Sequence, residues 1–131
     1  MSDFPMPRYV VLYHETADPQ ERPSHWDFML EEGGVLRTWA IYTAPTLDAA
    51  HTMEALPDHR LEYLEYEGPL SGERGEVTRV CSGSYEKLFE DWPRRLVVRL
   101  CDSEGELILH LERMKATQFW TARFEVESTA R

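Results

Sequence analysis

Metal-type ligands alternate with apolar residues along His25-Trp26-Asp27-Phe28-Met29-Leu30-Glu31. In a β-strand, residues two apart share a face, so His25, Asp27, Met29 and Glu31 point one way. Trp26, Phe28 and Leu30 point the other way, toward a core. An imidazole and a carboxylate on one strand face are placed to share a divalent metal. His14 ends an apolar run upstream, on the side of Val10 and Leu12, a face that could be a barrel interior with the histidine at its rim. His59 and Tyr63 stand four apart, hence on one face of a strand. If these strands are neighbours, His14, His25 and Asp27 supply three N/O ligands with positions left open for Lewis-acid chemistry. His59 could then protonate a leaving oxygen or stabilise charge in the transition state.

The elements that must position these groups are mostly strands. Residues 8–14, 25–31, 35–42, 59–67, 76–81, 95–101, 106–111 and 119–126 are rich in β-branched and aromatic side chains. Glu32-Gly33-Gly34 and Asp102-Ser103-Glu104-Gly105 separate strands closely enough for hairpins. Residues 47–56 form the best helix candidate, with Thr46 as N-cap and Pro57 as the stop. Residues 84–92 read equally as a helical turn or as a strand. About eight strands with one or two short helices indicate a mainly β fold, a closed or nearly closed antiparallel barrel, in a single domain over 1–131.

Each candidate also has a plainer reading. His25 and Asp27 alternate as the wet face of an antiparallel strand would, and H-x-D is common by accident. Tyr63 reads as packing, and His51 and His110 as surface histidines. Tyr13, Trp26, Phe28, Trp39 and Phe124 alternate with polar residues as core aromatics do, rather than forming base-stacking platforms. Glu62, Glu65 and Glu67 suit a solvated edge, and Arg94-Arg95 is too short for a nucleic-acid patch. At 131 residues, 42% of them hydrophobic, the chain can bury a core without staples. The leader MSDFPMPR has no apolar stretch and no later run reaches membrane-spanning length, so a cytoplasmic protein without a membrane partner is expected. Cys81 and Cys101 lack metal-ligand spacing and are expected to remain thiols. The net charge of −10 opposes non-specific binding to nucleic acid.

The chain resembles the 3′-phosphoesterase domain of bacterial DNA ligase D, a family that also occurs as stand-alone proteins. An opening strand that ends in a histidine is matched by residues 9–15. An H-Y-D-F-R-L-E strand is matched by His25-Trp26-Asp27-Phe28-Met29-Leu30-Glu31, and G-V-L-K-S-W-A-V-P-K-G-P by residues 34–45. Asp58-His59-Arg60-Leu61-Glu62-Tyr63 matches a D-H-P-L-E-Y segment, and residues 67–75 loosely match a Gly/Pro-rich turn.

The resemblance implies a compact β-barrel with a divalent metal, manganese above zinc or cobalt, on His14, His25 and Asp27. It implies that His59 acts on the reacting phosphate and that Tyr63 lies in the active site. The implied reaction removes 3′-phosphates or 3′-ribonucleotides from DNA ends. The partners are then DNA or RNA/DNA 3′ ends, or another phosphoester, and a DNA repair ligase. This member diverges at two cations. The family's arginine after the metal aspartate is Met29 here, and its turn lysine is Thr43. Losing them removes charge-assisted contacts to phosphate. The stretch between His14 and His25 is also longer than in the family and contains Arg22; Arg22, Arg60 and Arg74 are the candidate replacements. A metal- or DNA-end-binding module with impaired catalysis is the alternative reading.

Overall fold

Alternation along the strands sorts their side chains into two apolar layers, one inside a ring of strands and one on its outer surface. The computed structural model describes residues 6–18, 20–47 and 49–126; the start of the leader, position 19, position 48 within the expected helix and the last five residues lie outside them. The strands are β1 (Arg8–Glu15), β2 (His25–Glu32), β3 (Val35–Ile41), β4 (Ala50–His59), β5 (Gly68–Pro69), β6 (Glu76–Asp91), β7 (Arg95–Asp102), β8 (Gly105–Arg113) and β9 (Phe119–Val126). They form one sheet in the order β1-β2-β3-β4-β9-β8-β7-β6-β5. β1 also pairs with β6, which closes an antiparallel ring of eight strands, with β5 attached to β6 outside it. The fold is mainly β, and the helical elements among the described residues are two short 3-10 turns, Leu61–Leu64 and Ser71–Glu73. No helix among the described residues is long and apolar enough to cross a membrane.

All eight ring strands contribute to the interior, where Tyr9, Phe28, Trp39, Met53, Tyr85, Val98, Leu109 and Trp120 pack as one cluster. Val10, Leu12, Met29, Leu36 and Val77 form the second layer on the outside of β1, β2, β3 and β6, together with Leu64. Residues 60–75 cross over this outer layer and cover it, with Tyr63, Tyr66 and Leu70 packed against it. Burial of Leu64 to 6% exposure contributes about 1.5–3 kcal/mol to holding the cover down.

The two expected hairpins are present. Glu32 pairs with Val35 across Gly33-Gly34, whose φ values of 64° and 86° match the left-handed turn that follows strand twist. Asp102 pairs with Gly105 across the second. β6 settles the ambiguity at residues 84–92 as strand, since one 16-residue strand pairs first with β1 and then with β7. Register shifts beside Val80 and Leu88 leave those residues unmatched and exposed, which bends the long strand around the ring.

Three expectations are overturned. The helix expected over 47–56 is the strand β4, which is hydrogen-bonded to β3 on one side and β9 on the other. Two ladders outweigh a weak local helix preference, and Met53 is wholly buried inside the ring. Pro57 does not stop this strand; it lies beyond the β9 pairing, opposite a register shift in β3, where its missing N–H leaves no ladder bond unmade. The strand expected over 59–67 is instead the end of β4 followed by the 3-10 turn Leu61–Leu64, which lets Leu64 reach the outer layer. The face of β1 that carries Val10, Leu12 and His14 is the outer one, not the barrel interior, because the opposite alternation, Tyr9 and Val11, fills the ring.

Candidate metal centre

His14 at the end of β1 stands opposite His25 at the start of β2, because the antiparallel register pairs the two residues directly. Asp27 follows two residues on, so all three share the outer face. Their ligand atoms lie within 4.8 Å of one another. His25 Nε2 is 3.1 Å from Asp27 Oδ1, and His14 Nδ1 is 3.9 Å from Asp27 Oδ2. This is no wet strand face: His25 is 1% exposed and Asp27 3%, with His14 half-buried.

The backbone decides which ring nitrogens are free. His25 Nδ1 lies 3.0 Å from the Pro23 carbonyl and His14 Nε2 lies 2.8 Å from the Arg74 carbonyl. A carbonyl only accepts, so each of these nitrogens carries the proton and donates. In the neutral rings the lone pairs are then on His25 Nε2 and His14 Nδ1, 3.1 and 3.9 Å from the Asp27 carboxylate oxygens. Second-partner bonds of this kind orient imidazole ligands in metal sites. His25 Nε2 and Asp27 Oδ1 are buried without a satisfied hydrogen bond. Buried polar atoms without partners are costly, and two that converge fit a shared cation. Burial pulls the His25 pKa down while the Asp27 carboxylate pushes it up, and the upward effect prevails.

The triad opens into a cavity of about 580 Å³ whose lining also includes His59 and Tyr63. All five residues expected to act are therefore gathered in one place, although Tyr63 arrives on a 3-10 turn and not on a strand. His59 donates from Nδ1 to the Pro57 carbonyl at 2.9 Å, which leaves Nε2 free. The Tyr63 ring meets the His59 ring edge-on with centroids 5.8 Å apart. Gly75 pins the cover to β1. Its φ is +94°, and a Cβ there would lie 2.0 Å from the Glu15 carbonyl oxygen, so only glycine allows this approach. The approach brings the Arg74 carbonyl onto His14.

Residues 15–123 match the family described as the DNA ligase D 3′-phosphoesterase domain. The chain belongs to this family. It is 37% identical over 65 residues to the multifunctional non-homologous end joining protein LigD of Pseudomonas aeruginosa, covering 48% of this chain and 7% of that protein. It is 34% identical over 113 residues to the corresponding LigD proteins of Mycobacterium bovis and Mycobacterium tuberculosis, covering 79% of this chain and 12% of each of them. The chain thus spans a small part of the length of these relatives.

Met29, buried at 1% exposure, lines the cavity, whereas Thr43 is exposed and is not among its lining residues. Of the three candidate replacement cations, Arg22 and Arg74 line the cavity, whereas Arg60 lines the adjoining cleft beside His59 and Tyr63. His51 and His110 lie elsewhere, half-buried and bonded to Thr46 and Glu125. Sequence reasoning missed Tyr42, whose ring lies 5.4 Å from that of His25 and whose hydroxyl donates to Glu54 at 2.8 Å. The available signal was its place one residue beyond Ile41, which pairs with Trp26 beside His25.

Proposed function

We propose that this chain is a metal-dependent phosphoesterase that removes a 3′-phosphate or a 3′-ribonucleotide from a DNA or RNA/DNA end. The observation that carries the reading is the convergence of His25 Nε2, Asp27 Oδ1 and His14 Nδ1, with both imidazoles held in the ligand tautomer by carbonyls. Two nitrogens and one carboxylate oxygen suit a divalent metal; manganese is the one the family resemblance implies, with zinc and cobalt as alternatives. A divalent metal held there supplies Lewis-acid stabilisation to a phosphoryl oxygen.

The remaining steps belong to the chain's own residues. The buried triad walls one side of the cavity, and His59 faces the same space. As an imidazolium, His59 keeps its Nδ1 proton on Pro57 and gives its Nε2 proton to the leaving oxygen as water displaces it from phosphorus; that oxygen is the 3′ oxygen of a 3′-phosphate end or the 5′ oxygen of a terminal ribonucleoside. For a 3′-phosphate the products are a 3′-hydroxyl and inorganic phosphate. Tyr63 holds the His59 ring by its edge-to-face contact. Family membership and the end-joining names of the relatives support a DNA-end substrate, and a DNA repair ligase that needs a 3′-hydroxyl is the partner this reading implies.

The test is release of phosphate from a 3′-phosphorylated DNA duplex, and of the nucleoside from a 3′-ribonucleotide end, with manganese. Turnover should vanish with chelation and in His14→Ala, and fall about 100-fold or more in His59→Ala. Metal-dependent turnover that His14→Ala and His59→Ala leave unchanged would refute the reading. One observation favours a second reading, a metal- or DNA-end-binding module with impaired catalysis: uncharged Met29 lines the cavity of a chain carrying a net charge of −10. Manganese-dependent binding of DNA ends without product would select it.

A further inference from the structure

We propose that Arg22, carried by the loop between β1 and β2, grips the substrate phosphate in this cavity. The inference rests on the phosphoesterase reading and names the residue that would hold its substrate. A phosphate dianion beside the Asp27 carboxylate needs cationic donors in addition to a metal, and on the β2 face the next position is the apolar, buried Met29. Two arginines line the cavity, Arg22 and Arg74. Arg74 is committed to the cover: its Nε and a terminal nitrogen donate to the Ser71 carbonyl and hydroxyl at 2.7 and 3.1 Å, and its own carbonyl holds His14.

Arg22 is differently placed. Arg8, Arg37 and Arg94 are each paired with a carboxylate, whereas no carboxylate stands in ion-pair contact with Arg22 among the described residues. It lines the cavity together with His25, Asp27 and His59. Its backbone is held in place. The buried Thr16 donates from Oγ1 to the Arg22 carbonyl at 2.6 Å and from its N–H to Ser24 Oγ at 3.1 Å, while the Arg22 N–H donates to the Asp18 carbonyl at 3.0 Å. A guanidinium fork on an anchored loop offers phosphate two parallel hydrogen bonds for the ordering of one side chain.

The experiment uses the full chain loaded with manganese and compares it with Arg22→Ala and Arg22→Lys. Three quantities are read: inorganic phosphate affinity by calorimetry, manganese affinity by electron paramagnetic resonance, and KM and kcat on a 3′-phosphorylated duplex. In Arg22→Ala, phosphate Kd and KM rise about 10- to 100-fold with manganese affinity unchanged. Arg22→Lys recovers part of the loss, because lysine keeps the charge but not the fork. Phosphate affinity and KM within about twofold of the unaltered chain in Arg22→Ala, while that chain binds and hydrolyses, overturn this inference alone. A parallel loss of manganese affinity also overturns it, by assigning Arg22 to the metal site. An unaltered chain that neither binds phosphate nor hydrolyses removes both this inference and the reading beneath it.

Discussion

Replacing Asp27 by asparagine should uncouple metal binding from folding without dismantling the fold. A ligand that binds only the native state stabilises it by about 2.7 kcal/mol at a hundredfold excess over Kd. For 131 residues, an unfolding entropy of about 2.1 cal/mol/K per residue amounts to about 0.28 kcal/mol/K. Manganese at that excess should therefore raise Tm by about 10 °C in the unaltered chain. Asp27→Asn removes the anionic ligand but places an amide donor where Asp27 Oδ1 lies, 3.1 Å from the lone pair of His25 Nε2. The unpartnered nitrogen then gains a hydrogen bond, so metal-free stability should change by only about 1 kcal/mol. If affinity drops about a thousandfold, the same manganese concentration contributes about 0.06 kcal/mol, a shift under about 1 °C. Differential scanning calorimetry with and without manganese measures both numbers. A manganese-induced rise in Asp27→Asn equal to that of the unaltered chain would show that Asp27 is not a ligand. No rise in the unaltered chain at saturating manganese would refute the whole centre.

Two further predictions concern the frame around the site. Gly75→Ala should cost about 2 kcal/mol or more, from left-handed backbone strain together with the clash against the Glu15 carbonyl, and should also weaken metal binding as Arg74 leaves His14; thermal melts and metal titration check both, and an unchanged metal affinity would show that the cover does not hold His14. Burial, aided by the Glu32 carboxylate, pushes the Tyr85 phenol up to about 12. The folded chain thus holds this proton more tightly than the unfolded one, and the stability it contributes is complete below pH about 10 and is lost as pH rises through about 12. Tyr85→Phe should cost about 1 kcal/mol at neutral pH through the lost bond to the Glu31 carbonyl, yet flatten the alkaline loss; parallel pH-dependent unfolding curves for the two proteins would contradict this.

Much of the site was legible because β-structure repeats every two residues. The alternation along His25-Trp26-Asp27-Phe28 put an imidazole and a carboxylate on one face, and the run ending at His14 supplied the third candidate ligand. The Gly33-Gly34 turn marked the hairpin that continues from that strand. Residues 50–56 were not legible. Their alternation is short and is broken by His51 on the inner side and Leu56 on the outer, and the ladders to β3 and β9 make them a strand. The turn at Leu61–Leu64 escaped for a related reason, since its conformation serves the burial of Leu64 beneath a cover that exists only in the assembled fold.

The sequence by itself determined which residues share a face, which strands form hairpins and which chemistry their side chains allow. Period-two alternation is blind to which side of a sheet becomes the inside, however. Ring closure through β1 and β6 broke that symmetry, sending Phe28 and Leu30 inward and leaving His25, Asp27 and Met29 outside. The crossing of residues 60–75 then buried that outer face, brought His59 and Tyr63 to it, and set the Arg74 carbonyl that selects the free nitrogen of His14. These are contacts between segments far apart along the chain, and no local pattern encodes them.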